Sequence, residues 1–381
     1  MPALLPLSGE GGFILRPRAS RPGVKTLIEG PWSYGPPRCS FVAFSRFSRH
    51  KEPVSNTLPL VTIVIPTRPS QAEIMALTAS RLLDYPPDRL EIIVARGRQP
   101  AVQRNAALKV ARGDLIYFLD DDSRPLPDNL HRAIAHFVRP EVQMVGGPNV
   151  CPAEAPSLEQ VFAVVLGSWL AFGPSRARYE PVGSTRSSGE KELILCNLMA
   201  RRAALLELGG FDESLYPNEE NALMDELQKR GAQLLYDPQF VVYRRPRPTL
   251  KAFCKMLLNY GRGRAEQFRL HPTLGSAMNF VPPLFCLYLV LLPPLLMLMP
   301  WLWAQLAVMA PLDCYVMVVL LQSLASSEKK GLAKSLAALP LLVLTHLLYG
   351  LGFWRGLFTN PKPPSVASGG SVELERIDLA N

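Results

Sequence analysis

Three consecutive carboxylates, Asp120, Asp121 and Asp122, close the apolar run Leu115-Ile116-Tyr117-Phe118-Leu119. Anions so placed repel one another, so a cation is expected among them. With no His or Cys nearby, a hard ion that prefers oxygen ligands, Mg²⁺ or Mn²⁺, is the natural candidate. The run ahead of them reads as a strand buried on both faces. Open α/β sheets bind ligands beyond the carboxyl ends of such strands. The competing reading is a solvated acidic turn, helped by Ser123-Arg124-Pro125. An EF-hand loop does not fit, because its turn glycine and closing glutamate are missing. A second acidic block, Gly209-Gly210-Phe211-Asp212-Glu213 followed by Glu219-Glu220, comes later in the chain. Its glutamates either do chemistry or serve as helix N-terminal charges favoured by the macrodipole.

The elements around these blocks alternate. Leu60–Pro66 is expected as a strand stopped by proline, residues 71–83 as a helix on the spacing of Ile74, Leu77 and Leu82, and Leu90–Ala95 as a second strand. A helix over Gln99–Ala111, the strand ending at Leu119, a helix over Leu130–Val138 and a strand over Val142–Gly147 follow. Strands at Leu193–Ala200, Leu234–Tyr236 and Phe240–Tyr243, with helices at Ala203–Leu208 and Ala222–Arg230, complete the pattern. Such alternation predicts an α/β domain over residues 58–248 with a mostly parallel, Rossmann-like sheet and right-handed crossovers.

The chain of 381 residues carries a net charge of +9, which points to an anionic partner. Nucleic acid is not expected, since no basic helix with interleaved aromatics appears. The six cysteines are scattered without a C-x-x-C pair, which argues against a disulfide framework or a zinc site and suits a reducing compartment. Residues 1–57 read as a flexible basic extension rich in Pro, Gly, Ser and Arg. Ala3–Leu7 is too short for a signal peptide, and one hypothesis starts translation near Val54.

Mean hydropathy is +0.11, and most of the excess lies in the last quarter. Residues 249–272 form an amphipathic pattern (Leu250, Phe253, Leu257, Tyr260) flanked by cations, as expected of a helix in a membrane interface. Stretches at about 280–300, 301–324 and 335–354 are each long enough to cross a bilayer, which takes about 20 residues. Lys329, Lys330 and Lys334 lie between the second and third, while the turn between the first two has no charge. The positive-inside rule then places that loop and the large domain in the cytoplasm, on the inner membrane of the cell. Three crossings put the polar tail, residues 357–381, on the far side.

Taken in order, these features resemble the family 2 glycosyltransferases, inverting enzymes with a GT-A fold that use nucleotide sugars. The resemblance spans about residues 58–270. Phe118-Leu119-Asp120-Asp121-Asp122 is similar to the family's D-x-D, and the Gly209–Glu213 block with Glu219-Glu220 to its GGFDE…ED. The resemblance implies that Asp120 contacts the nucleotide or metal, with Asp121 beside it, and that Asp122 ligates the divalent ion. It implies Glu220 as the general base on the acceptor hydroxyl, with Glu219 its neighbour. Donor contacts are expected at Pro66, Thr67 and Arg68 after the first strand and at Arg104. Arg262 and Arg264, in Tyr260–Gln267, match a basic segment near the diphosphate, or they bind lipid headgroups.

Two features depart from the family pattern. The loop Ala95–Pro100 lacks the acidic residues that read the base in many relatives, so base recognition is expected to differ. The Q-x-x-R-W signature of processive members is also absent, which favours transfer of a single sugar. The Val145–Pro148 turn and the Phe172–Tyr179 segment look like membrane-attached, succinoglycan-type transferases, implying a nucleotide-sugar donor and a polyprenyl-diphosphate-linked saccharide acceptor. A polyprenyl-phosphate glycosyltransferase, making a lipid-linked monosaccharide, is the nearest alternative. A catalytically inactive membrane scaffold is the alternative of another class.

Overall fold

The computed structural model describes residues 58–213, 219–270, 274–359, 371–377 and 379. The expected N-terminal extension lies outside the described residues. In chain order the strands are β1 (Val61–Thr67), β2 (Leu90–Arg96), β3 (Leu115–Leu119), β4 (Arg124–Pro125), β5 (Val142–Gly146), β6 (Asn149–Val150), β7 (Arg186–Ser187), β8 (Asn197–Arg201), β9 (Gln233–Tyr236), β10 (Val242–Tyr243) and β11 (Glu373–Ile377). The helices are α1 (Met75–Ser80), α2 (Pro100–Val110), α3 (Asn129–His136), α4 (Ser157–Leu166), α5 (Trp169–Phe172), α6 (Arg202–Glu207), α7 (Glu219–Lys229), α8 (Leu250–Leu270), α9 (Val281–Leu298), α10 (Leu302–Lys330) and α11 (Leu332–Phe358).

Eight strands form one sheet in the order β11-β2-β1-β3-β8-β5-β9-β7. β2, β1, β3, β5 and β9 run one way, and β8, β11 and β7 run against them. β1 and β3 are buried at every position because both faces are covered. One apolar cluster joins Val64, Ile93, Ile116 and Phe118 to α2, α6 and α7, and the other joins Ile63, Ile92 and Tyr117 to α1 and α3. The carboxyl ends of β1 and β3 therefore lie side by side, which is where Thr67 and Asp120 must sit.

Several boundaries differ from the sequence reading, each for a physical reason. Pro66 does not stop β1: the ladder to β3 ends at Val64↔Phe118, while the pairing with β2 continues to Thr67↔Arg96. The helix expected over 71–83 shrinks to α1, and Leu82, one of its supposed apolar anchors, is 71% exposed. β8 begins only at Asn197, because the backbone before it turns, with Asn197 N–H donating to Ile194 O. The last strand does not complete the main sheet. β10 sits between β4 and β6 in a separate three-stranded sheet, against the strand ends that carry the acidic run.

α9, α10 and α11 are the three described helices long and apolar enough to cross a membrane. α8 lies against α4, with Phe253 stacked on Phe162 at 4.2 Å between ring centroids. The polar tail does not stand free. β11 adds to the sheet antiparallel to β2, with Glu373 opposite Arg96 and Ile377 opposite Ile92. Arg376 Nε reaches the buried Glu91 carboxylate at 3.0 Å, which Thr62 and Arg112 also hold. The tail was expected apart from the α/β domain; instead residues 373–377 are a strand of that domain's own sheet.

Candidate active site

β3 delivers Asp120, Asp121 and Asp122 into a turn, and the three side chains part company there. Asp121 accepts a hydrogen bond from Thr67 Oγ1 at 2.9 Å, and its backbone carbonyl accepts from Ala76 N–H. Burial, only partly offset by the Thr67 hydroxyl, pushes the Asp121 carboxyl above the usual range, and Asp122 and Asp120 add to the shift. Asp120 is gripped from two sides. Arg104 Nη2, from α2, stands 3.3 Å from its Oδ1, and Arg244 Nη1 stands 3.1 Å from its Oδ2. Arg244 also places Nε 2.6 Å from Asp122 Oδ1, so one guanidinium bridges the first and third carboxylates. Burial opposes the Arg244 charge, yet Asp120 and Asp122 hold it firmly protonated.

Arg104 extends the chain of charges to the second acidic block. Its Nη1 lies 3.3 Å from Glu219 Oε1 in the first turn of α7, and its guanidinium lies over the Phe211 ring. The result is an alternating line: Glu219, Arg104, Asp120, Arg244, Asp122. Next to Arg104, Asn105 fixes the GGFDE segment. Its Nδ2 donates to Phe211 O and to Glu213 Oε1, and its Oδ1 accepts from Phe211 N–H, all at 2.8 Å. Gly210 has a φ of +86° and a Cβ there would meet Asn105 Oδ1 at 2.4 Å, so only glycine fits this turn. Gln103 ties the ends of β1 and β2 together by donating to Thr67 O and Ala95 O.

Glu219 and Glu220 differ in setting. The Glu219 side chain is 4% exposed, and its Oε2 has no hydrogen-bond partner among the described residues. Burial first, and the neighbouring Glu220 charge second, push its carboxyl up to about 7 despite Arg104. Glu220 is half-buried at the same helix start.

Of the remaining predicted donor residues, Pro66 and Thr67 are buried at the end of β1, and Arg68 is exposed beyond it. The two arginines of α8 diverge. Arg264 pairs with Glu190 Oε2 at 3.0 Å, and Glu220 contributes to holding its proton, so it belongs to the surroundings of α7. Arg262 pairs with Glu266 on its own helix, and its backbone packs against Gly356 of α11. The loop Ala95–Pro100, which lacks acid of its own, finds one in the tail: Arg96 Nη2 lies 3.5 Å from Glu375.

Arg244 is the functional side chain that the sequence reading missed. The acidic run called for a cation, and the basic stretch Arg244-Arg245-Pro246-Arg247 was its only visible trace. Two guanidiniums already serve Asp120. Among the described residues no group of three or more His, Cys, Asp or Glu side chains is arranged to hold a metal. Mg²⁺ commonly rests on one or two carboxylates, with substrate phosphates and water completing its shell. Asp122 offers such a carboxylate: it is 45% exposed, and its Oδ2 enters none of these ion pairs, whereas both oxygens of Asp120 face guanidiniums and would turn to an ion only on giving one of them up. A cleft of about 440 Å³ opens beside Asp122, bordered by Met75, Arg124, Glu154 and Arg245, within the size range of small-ligand sites.

Residues 115–354 match the family model described as glycosyl transferase family group 2. Over 173 residues the chain is 31% identical to the pre-mycofactocin glycosyltransferase of Mycobacterium tuberculosis, a match that covers 45% of this chain and 36% of that protein. The chain thus spans about a third of that relative's length. It is 25% identical over 328 residues to the succinoglycan biosynthesis protein ExoA of Rhizobium meliloti, covering 77% of this chain and 94% of that one. Among solved structures it is similar to the mannosyltransferase PcManGT from Pyrobaculum calidifontis in complex with GDP-Man and Mn²⁺, with a TM-score of 0.46 and 17% identity. That match covers 80% of this chain and 88% of the other. Staphylococcal TarS (S. aureus, residues 1–349) in complex with UDP gives a TM-score of 0.38 at 14% identity, over 77% and 91% of the two chains.

Proposed function

The chain belongs to glycosyl transferase family group 2, and from that premise we propose that it transfers one sugar, with inversion, from a nucleotide-sugar donor to a lipid-linked saccharide in cell-surface polysaccharide assembly. The observation that carries this reading is the single guanidinium of Arg104, which touches Asp120 of the first acidic block and Glu219 of the second. It gathers a diphosphate-binding element and an acid pair at one end of the sheet, as transfer between a bound donor and an incoming hydroxyl requires.

In this reading Glu220 takes the proton from the acceptor hydroxyl. The acceptor oxygen then bonds to the anomeric carbon as the bond from that carbon to the donor phosphate breaks. The nucleoside diphosphate leaves with the electron pair, and attack from the opposite face inverts the centre. Arg244, 23% exposed against 7% for Arg104, is the more open of the two guanidiniums and would meet phosphate oxygens by exchanging its carboxylate contacts for them. Asp120 and Asp122 would hold Mg²⁺ or Mn²⁺, which supplies Lewis-acid stabilisation of charge on the leaving diphosphate. Arg264, beside α7, is assigned to the donor or acceptor phosphates, and Arg262 to the membrane side of α8.

The acceptor class rests on the apolar helices beside the domain and on the similarity to a succinoglycan biosynthesis protein. The Lys329, Lys330 and Lys334 cluster supports a cytoplasm-facing domain on the inner membrane. Product analysis tests the acceptor. A lipid-linked glycan is expected to grow by one residue in native membranes. An alkali-stable lipid monophosphosugar would instead make the protein a polyprenyl-phosphate glycosyltransferase.

A further inference from the structure

Three features of the C-terminal third bear on how the chain meets a bilayer, and none depends on which sugar is transferred. The first is the pairing of α8 with α11. The two helices run parallel in backbone contact: a Cβ on Gly352 would meet Leu258 O at 2.2 Å, and one on Gly261 would meet Tyr349 O at 2.0 Å. Further along, Arg269 of α8 donates to Gly356 O and Thr359 O at the end of α11. α8 carries Lys251, Lys255, Arg262, Arg264, Glu266 and Arg269, and a helix so charged does not cross hydrocarbon. α11 runs along it, and it also touches the domain, since Leu342 and Ala338 share a cluster with Phe162 and Val165 of α4.

The second feature is β11. Thr359 ends the last helix beside α8, and Glu373 already pairs with β2 of the catalytic sheet. Residues 360–370 include three prolines and a lysine. Such a segment cannot carry its backbone through a bilayer without satisfied hydrogen bonds.

The third is the distribution of exposed apolar surface. α9 meets α11 near its start, where Trp354 Nε1 donates to Pro283 O and Cys286 Sγ to Leu347 O. α10 meets α11 over its second half, where Tyr315 OH lies 2.9 Å from His346 Nδ1, Val319 clusters with Ala338 and Leu342, and Ser323 donates to Ser335 O. The rest of α9 and the first part of α10 are joined to each other by Tyr288 donating to Val308 O. Met297, Leu298, Trp301, Leu302 and Trp303, all 62% exposed or more, cluster at the turn between them. Lys329, Lys330 and Lys334 mark the other end of α10 and the start of α11, the end suited to anionic headgroups.

We propose that α9 and α10 form a hairpin that enters the bilayer from the face on which the catalytic domain sits and returns to it, while α8 and α11 lie side by side in the interface. The number of crossings is then even, and the domain and the C-terminus share one side of the membrane. The occupant of the exposed hairpin surface is lipid.

The test uses the full-length chain with an epitope after Asn381 in sealed vesicles of both orientations. Protease added outside is expected to remove the epitope only in the orientation that also exposes the catalytic domain. Removal of the epitope in the opposite orientation overturns the proposal. A second measurement avoids the added tag: Ser371→Cys reacts with a membrane-impermeant maleimide from the domain side, and reaction only from the other side overturns the proposal equally. Neither readout needs sugar transfer, so its failure is distinguishable from failure of the functional reading.

Discussion

Glu220→Gln is expected to lower sugar transfer by about 10²–10⁴-fold, the usual contribution of a positioned general base, while leaving donor binding unchanged. The amide keeps the shape of the side chain and removes only its capacity to take a proton. Glu219→Gln is expected to act differently, because Glu219 is buried against Arg104 and offers little access to an acceptor. Its effect belongs to pH. The folded carboxyl sits at about 7, above its ordinary 4.5, owing first to burial and then to the Glu220 charge. The folded state therefore holds this proton more tightly than the unfolded chain does. The group's contribution to stability is full below about 4.5 and is lost as pH rises through about 7. Thermal unfolding of the detergent-solubilised protein between those values should show that decline in the wild type and a flatter profile in Glu219→Gln. If Glu219→Gln loses the rate and Glu220→Gln keeps it, the base is Glu219.

Arg244→Ala is expected to be the most damaging change among the basic residues of the site. It leaves Asp122 without its guanidinium and Asp120 with Arg104 alone. Breaking a buried ion pair by removing one partner costs about 3–5 kcal/mol. With Asp122 half exposed, water screens part of that, and about 2 kcal/mol is the expected loss of stability. The same substitution frees carboxylate oxygens for a divalent ion. Added Mn²⁺ should raise the unfolding temperature of Arg244→Ala more than that of the wild type, by the linkage between binding and stability. An unchanged unfolding temperature in Arg244→Ala would show that the guanidinium does not hold the acidic turn. Donor affinity should fall alongside stability, since Arg244 is also assigned to the diphosphate.

The parts of this molecule that were legible in the sequence are those written locally. The run from Leu115 to Asp122 announces both a buried strand and the anionic site at its end, and the Gly209–Glu220 block announces the second. The partners of those carboxylates were not legible, because the chain brings them from far away. Arg244 is 122 positions from Asp122, and Arg104 is 115 from Glu219. The tail strand was hidden for another reason. Val372 and Leu374 pack on the cluster under α2, whereas Ile377 and Leu379 pack on the opposite one, so no single-face alternation marks the strand. The α8–α11 contact depends on glycines that look unremarkable in sequence until the facing backbone is known. The length of the three C-terminal apolar stretches marked each as a helix. It had no access to the pairing with a charged neighbour, which bears on whether α11 crosses the membrane.

The most direct measurement offers a panel of labelled nucleotide sugars to membranes containing the protein and native lipid extract, following nucleoside diphosphate release together with label in the lipid fraction. One donor is expected to release nucleoside diphosphate in step with the addition of one labelled sugar of inverted anomeric configuration, and Asp122→Asn should silence both signals. Turnover that survives Asp122→Asn undiminished, or a sugar transferred with its configuration retained, would contradict the account.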